Sequence, residues 1–189
     1  MDLILASASP RRQELLRAAN IAFTVRPAHV PEEHRPGETP IAYSTRLARD
    51  KARTAWNGAK HPSGTFVLGA DTIVVVDEYI LEKPADDADA ARMLRMLSGR
   101  AHQVITSVCL IGHGVDDVRS ETTTVTFRDM SDQEIAEYVA SREPMDKAGA
   151  YAIQGIASRW IPHVEGDYSN VVGLPVALVY QMLTVHGAL

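Results

Sequence analysis

The sequence predicts an α/β layered domain, and three observations lead there. Short apolar runs alternate with segments of helical periodicity along the 189 residues. The first dozen residues already make one such unit, with Leu3-Ile4-Leu5-Ala6 as a strand and Ser7-Ala8-Ser9-Pro10-Arg11-Arg12 turning it into a helix. No internal repeat, low-complexity tract or linker divides the chain, so a single domain over residues 1–189 is expected.

The elements follow from local signals. Ser9 is a suitable N-cap, Pro10 suits the first helical position, and Leu15-Leu16 give that helix an apolar stripe. Residues 22–25 are a strand candidate, and the polar, proline-bearing stretch 26–37 is a loop. Thr39-Pro40 then caps a helix reaching about Trp56. The apolar runs 66–68 and 73–76 predict two strands, with a turn at Asp77-Glu78. A helix over 87–97 stops at Ser98-Gly99, glycine standing where a C-cap wants it. Residues 104–111 and 122–127 predict an antiparallel pair joined by the connection 112–117. Ser131 with Glu134 forms a capping box for a helix to about Ala140. A glycine-bearing loop over 143–155, a strand over 160–164 and a helix over 175–186 complete the chain.

Composition narrows the function. Nineteen basic against 24 acidic residues give a net charge of −5, the wrong sign for a protein that binds bulk nucleic acid. Any anion must be held by a local cluster. The single cysteine, Cys109, cannot form an internal disulfide, which points to a reducing compartment. The N-terminal residues lack a signal-peptide pattern, and no apolar stretch approaches a membrane span. A cytoplasmic protein without a membrane partner is expected.

Five places carry chemistry. Arg11 and Arg12 put two cations in a first helical turn where the dipole is already positive, a cost of roughly 0.3–1 kcal/mol each. Amide donors, helix dipole and forked guanidinium groups together suit a polyphosphate. Asp71 lies within Phe66–Val76, among the most apolar runs of the chain. Burying its charge costs several kcal/mol, about 3 or more, unless a cation, a metal or hydrogen bonds offset it. Lys51 shares the inward arc of its helix with Ser44, Leu47, Ala48 and Ala55, where it either snorkels to solvent or offers a cation to the interior. Lys83 ends a strand before Pro84, and Gln154 lies in the loop Asp146–Gly155, where an amide offers a base edge both donor and acceptor. By themselves these two also fit a surface lysine and a surface glutamine.

Absences add weight. The chain has no Walker loop, dinucleotide fingerprint or nucleophile elbow, and its seven histidines show no metal-ligand spacing. Carboxylates and basic groups without histidine or thiolate suit phosphoryl chemistry assisted by magnesium or manganese.

Several motifs now fall into one order: Leu5–Arg12, Arg46–Ala52, Gly69-Ala70-Asp71-Thr72, Glu82-Lys83-Pro84, Leu97-Ser98-Gly99, Asp146–Gly155 and Val171–Pro175. Together they resemble the Maf family of nucleoside triphosphate pyrophosphatases, once described as septum-formation inhibitors. The resemblance runs from residue 3 to about residue 183. It implies a mixed, twisted central sheet flanked by helices, two-lobed with a cleft, similar to inosine triphosphate pyrophosphatases, and commonly a homodimer. It implies hydrolysis of a nucleoside triphosphate to the monophosphate and pyrophosphate, with a divalent metal, Mg or Mn, as cofactor.

Residue by residue, the resemblance makes Asp71 the proton acceptor and Lys51 and Lys83 the phosphate-side lysines, and Asp71 is further expected to hold the divalent ion together with a second acid. Arg11 and Arg12 are its arginine pair. Ser7 and Ser9, at the strand-to-helix turn, join the substrate-binding set. The second acid falls in Val30-Pro31-Glu32-Glu33-His34, with Glu32 as the expected metal ligand and Glu33 as the alternative one position on. Ala152 stands where the family commonly has glycine. Arg11, Thr72 and Gln154 match the members that act on dTTP and UTP. The other readings are a 7-methyl-GTP or deaminated-purine pyrophosphatase, and a non-catalytic nucleotide sensor in cell division.

Overall fold

Strand β1 (Asp2–Leu5) is covered on both of its faces, which arranges what surrounds it. Leu3 and Leu5 pack in one apolar group and Ile4 in another, with Ala6 just beyond it, as strand alternation requires. A strand buried on both sides reads as an unbroken apolar run, which is how Leu3–Ala6 looks in the sequence.

The computed structural model describes residues 2–189. After β1 come α1 (Pro10–Ala18), β2 (Thr24–Val25), α2 (Pro40–Asn57), β3 (Thr65–Val76), β4 (Tyr79–Leu81) and α3 (Asp87–Leu97). They are followed by β5 (Ala101–Gly112), β6 (Val115–Thr126), α4 (Asp132–Ala140), β7 (His163–Glu165), α5 (Tyr168–Val172) and α6 (Val176–Val185). The seven strands make a mixed sheet in the order β2-β1-β3-β5-β6-β7, with β4 paired to β3. β1 runs parallel to both β2 and β3, whereas β3–β4 and β6–β7 are antiparallel.

The chain forms two compact units, the first comprising Met1–Asp71, Thr106–Glu121 and Gly173–Leu189 and the second Thr72–Ile105 and Thr122–Val172. In the first, Leu3, Leu5, Leu16, Leu68, Leu110 and Met182 place α1 and α6 on one face of the strands. Ile4, Val67, Cys109 and Ile111 meet Ala48, Ala52 and Ala55 of α2 on the other. In the second, α3 packs against α4, burying Met93, Leu94, Leu97, Ile135 and Tyr138.

Helix starts agree with their local signals. Ser9, Thr39, Asp86 and Ser131 each accept a backbone N–H as N-cap, and Ser131 and Glu134 form the reciprocal capping box. Four expectations are corrected. The runs 66–68 and 73–76 are one strand, β3, because Gly69 does not interrupt it. The hairpin arms are longer than 104–111 and 122–127, and only His113-Gly114 separates β5 from β6. Residues 115–121 of β6 are exposed or half-buried, so their polarity looks like a connection in the sequence. The stretch 143–155 contains two 3-10 turns, Glu143–Asp146 and Ala148–Ala150. A third, Ile156–Trp160, shortens the expected strand 160–164 to His163–Glu165, and α5 precedes the last helix.

Candidate active site

Strand parity aims Asp71. Along β3, Phe66, Leu68 and Ala70 face α1 and α6, so Val67, Gly69 and Asp71 face α2. Gly69 sets how near α2 can come: a Cβ there would lie 2.3 Å from the carbonyl oxygen of Ala48 and 2.7 Å from the amide nitrogen of Ala52. The helix therefore rides directly on the strand. Lys51 occupies the same inward arc as Ser44, Leu47, Ala48 and Ala55, and its ammonium reaches the end of that face.

There Lys51 Nζ donates to Asp71 Oδ1 at 2.7 Å and lies 2.6 Å from Glu32 Oε1. Asp71 and Lys51 are largely buried, with side chains 8% and 12% exposed, while Glu32 is 43% exposed. One ammonium thus pairs with two carboxylates, one of them largely buried. Of the two adjacent acids, Glu32 carries its carboxylate to Lys51, whereas Glu33 offers its backbone carbonyl to Arg46 Nη2 at 2.9 Å.

Arg12 comes to the same strand from α1. Its Nη1 donates to the carbonyl of Ala70 at 2.9 Å and to Ser7 Oγ at 3.2 Å, and its Nε to the carbonyl of Gly173 at 2.8 Å. Burial pushes the guanidinium below its ordinary value and Asp71 opposes that push, while Arg11 adds to it and Glu32 counters. Ser7 Oγ also accepts the Ser9 amide at 3.2 Å, and Ser9 Oγ accepts the Arg12 amide. Both hydroxyls therefore shape the turn that presents the arginine pair. Arg11 is half-buried beside them. The part played by the Ala70 and Gly173 carbonyls has no sequence signal, since backbone groups leave none.

The other predicted residues belong to the second unit. Thr72 is half-buried on β3, and Lys83 is exposed just after β4. The carbonyl of the neighbouring Glu82 accepts the Gly149 amide at 3.1 Å. Gly149, at φ +68°, has no room for a side chain, because a Cβ would lie 2.8 Å from Val74 Cγ2. The segment Asp146–Gly155 is thereby laid against β3 and β4. Gln154 is exposed in the turn between buried Ile153 and Gly155.

The donor set accommodates a divalent cation. Asp71 Oδ2 is buried and has no hydrogen-bond partner, an unsatisfied acceptor beside the Lys51-bound Oδ1. Hard cations of the magnesium type take oxygen ligands and commonly use one or two carboxylates plus phosphate oxygens of the substrate. Glu32 and Asp71 supply that number. No group of three or more His, Cys, Asp or Glu among the described residues forms a cage of its own. No described helix is long and apolar enough to cross a membrane.

Comparison with known proteins bears on this arrangement. The dTTP/UTP pyrophosphatase of Koribacter versatilis (strain Ellin345) is 62% identical over 189 residues, covering 100% of this chain and 96% of that protein. The dTTP/UTP pyrophosphatase of Geobacter metallireducens (strain ATCC 53774 / DSM 7210 / GS-15) is 49% identical, covering 99% and 97%. Among solved structures, the Staphylococcus aureus Ham1 protein superposes with a TM-score of 0.51 at 15% identity, covering 98% of this chain and 100% of that one. That likeness concerns the fold alone, a mixed sheet flanked by helices. The family model for Maf-like proteins matches residues 2–186, and with relatives this similar over their full length, the chain belongs to the Maf family.

Proposed function

We propose that this protein hydrolyses dTTP and UTP to the monophosphate and pyrophosphate, acting over residues 1–189 as one catalytic domain. The observation that carries the proposal is the buried Asp71 carboxylate, with Oδ1 bound to Lys51 and Oδ2 left without a partner. An acceptor held at one oxygen and vacant at the other is suited to orient a water and take its proton. The names of the two relatives, 62% and 49% identical, support the choice of dTTP and UTP.

In this mechanism Asp71 aims a water at the α-phosphorus in line with the leaving oxygen. A bond forms from the water oxygen to phosphorus, the bond to the bridging oxygen breaks, and pyrophosphate departs. Arg11, Arg12, Lys51 and Lys83 neutralise the charge that moves onto the leaving group. Ser7 and Ser9 keep the turn that presents the arginines and offer polar atoms to the phosphates. A magnesium or manganese ion held by Glu32 and Asp71 would screen phosphate charge and polarise the phosphoryl oxygens. Arg11, Thr72 and Gln154 select the pyrimidine substrate. The working form in this proposal is a cytoplasmic homodimer.

The test is pyrophosphate release from a panel of dTTP, UTP, 7-methyl-GTP and inosine triphosphate, each with magnesium or manganese. Preferential release from dTTP and UTP supports the proposal. Turnover confined to 7-methyl-GTP or inosine triphosphate overturns the substrate, and binding without release overturns the reaction.

A further inference from the structure

Gln154 is exposed, yet the backbone on either side of it is held by a buried tyrosine and a half-buried glutamate of the second unit. On one side the amide of Ala152 donates to Tyr138 Oη at 3.2 Å. On the other, the amide of Ile156 donates to both oxygens of Glu143, at 3.0 and 3.2 Å. Tyr138 Oη in turn donates to Glu143 Oε1 at 2.8 Å, so the two anchors are one hydrogen-bonded pair and the loop bridges them.

The pair is itself well placed. Tyr138 is 1% exposed on the inner face of α4, and its ring lies 5.3 Å from that of Trp160, at the far end of the next turn. Burial first, and then Glu143, raise the Tyr138 phenol well above its ordinary value, which keeps it a donor. Glu143 is fixed by its own backbone, its amide donating to Ser141 Oγ at 3.3 Å and its carbonyl accepting from Lys147 Nζ at 3.2 Å. Gly155 leaves room for the carboxylate, since a Cβ there would lie 2.3 Å from Glu143 Oε2 and displace it. A carboxylate that receives a phenol and a backbone amide gives the loop a fixed shape before any ligand arrives.

We infer that Tyr138 and Glu143 are positioning residues for substrate selection, clamping residues 152–156 so that the Gln154 amide is already aimed when the base arrives. This rests on the assignment of Gln154 to base selection made above. A loop ordered in advance loses less freedom on binding, so the clamp acts on substrate preference and KM rather than on the chemical step.

The experiment compares kcat and KM for dTTP and dGTP in the wild type, Tyr138→Phe, Glu143→Ala, Glu143→Gln, Gln154→Ala and the Tyr138→Phe/Gln154→Ala double variant. Thermal unfolding confirms that each is folded. Tyr138→Phe is expected to lower the dTTP preference about tenfold, almost wholly through KM, with kcat within about twofold. Glu143→Gln retains an acceptor for the Ile156 amide and should keep the preference within about twofold of wild type, whereas Glu143→Ala should not. In the Gln154→Ala background, Tyr138→Phe should add less than about twofold. If Gln154→Ala loses the preference while folded Tyr138→Phe retains it, the clamp is overturned and base selection stands. If Gln154→Ala itself retains the preference, base selection by Gln154 fails and the clamp fails with it. Should Glu143→Ala not fold, Tyr138→Phe and the double variant decide the matter.

Discussion

Lys51 Nζ stands 2.7 Å from Asp71 Oδ1 and donates a hydrogen bond to a largely buried carboxylate at the end of an apolar face. Replacing Lys51 by Met keeps the volume of the stem but removes the ammonium hydrogen-bonded to Asp71 Oδ1. Stability should fall by about 3 kcal/mol, the cost of stranding one member of a largely buried pair. Thermal denaturation at neutral pH measures this. Pyrophosphate release should fall by at least about a hundredfold, because the same ammonium is proposed to neutralise phosphate charge.

Asp71→Asn separates binding from chemistry. The amide nearly preserves shape but removes the proposed proton acceptor and replaces the ion pair with Lys51 by a hydrogen bond at most. Turnover of dTTP should fall by about a thousandfold or more, while nucleotide affinity, measured by calorimetry, stays within about tenfold. Near-normal turnover would remove Asp71 from the reaction.

Gly69→Ala tests the seating of α2. The added methyl carbon would meet the carbonyl of Ala48 at 2.3 Å, and since that atom is backbone, the whole helix must move. A loss of about 2 kcal/mol or more is expected, as for an overpacked core. Lys51 shifts with the helix, so activity should drop even in the fraction that remains folded. Denaturant unfolding and assay of the folded protein distinguish the two effects.

His102 gives a pH signature. It is 3% exposed, its Nε2 is hydrogen-bonded to Tyr151 Oη at 2.8 Å, and burial pushes its pKa down to about 4. A histidine depressed in the fold is neutral there while the unfolded chain takes up a proton. Its contribution is therefore intact above about pH 6.5, falls as pH drops, and is lost by about pH 4. The total lost is about 3 kcal/mol. Denaturant midpoints across pH 4–7 should decline more steeply for the wild type than for His102→Gln, which carries no titrating ring.

Much of this was legible because the signals were local. A cap is a contact between residues three apart, so Ser9, Thr39 and the Ser131–Glu134 box announced their helices. Asp71 was conspicuous as a charge in an apolar run, and the helical arc placed Lys51 inward before any partner was known. Between Glu32 and Glu33 the sequence left the choice open, because the loop has no periodicity to say which carboxylate points in. What escaped detection was distant or backbone-borne. Nothing in the sequence links Arg12 to the carbonyls of Ala70 and Gly173, nor Tyr138 to the amide of Ala152. The length of β6 was hidden for a different reason: its first half, half-buried or exposed, carries polar residues on both sides, so alternation could not mark it as a strand.

The bond from Arg12 Nε to the Gly173 carbonyl spans 161 positions of the chain, and it has a consequence for synthesis on the ribosome. The N-terminal strands and α2 emerge first, but α6, which covers one of their faces, is translated last. At usual elongation rates the interval is on the order of ten seconds. Throughout that time Leu3, Leu5 and Leu68 lack the cover of Met182 and Leu183, and the nascent chain carries a greasy surface that chaperones would be expected to shield. The segment between can mature meanwhile, so the portion begun first is the portion finished last.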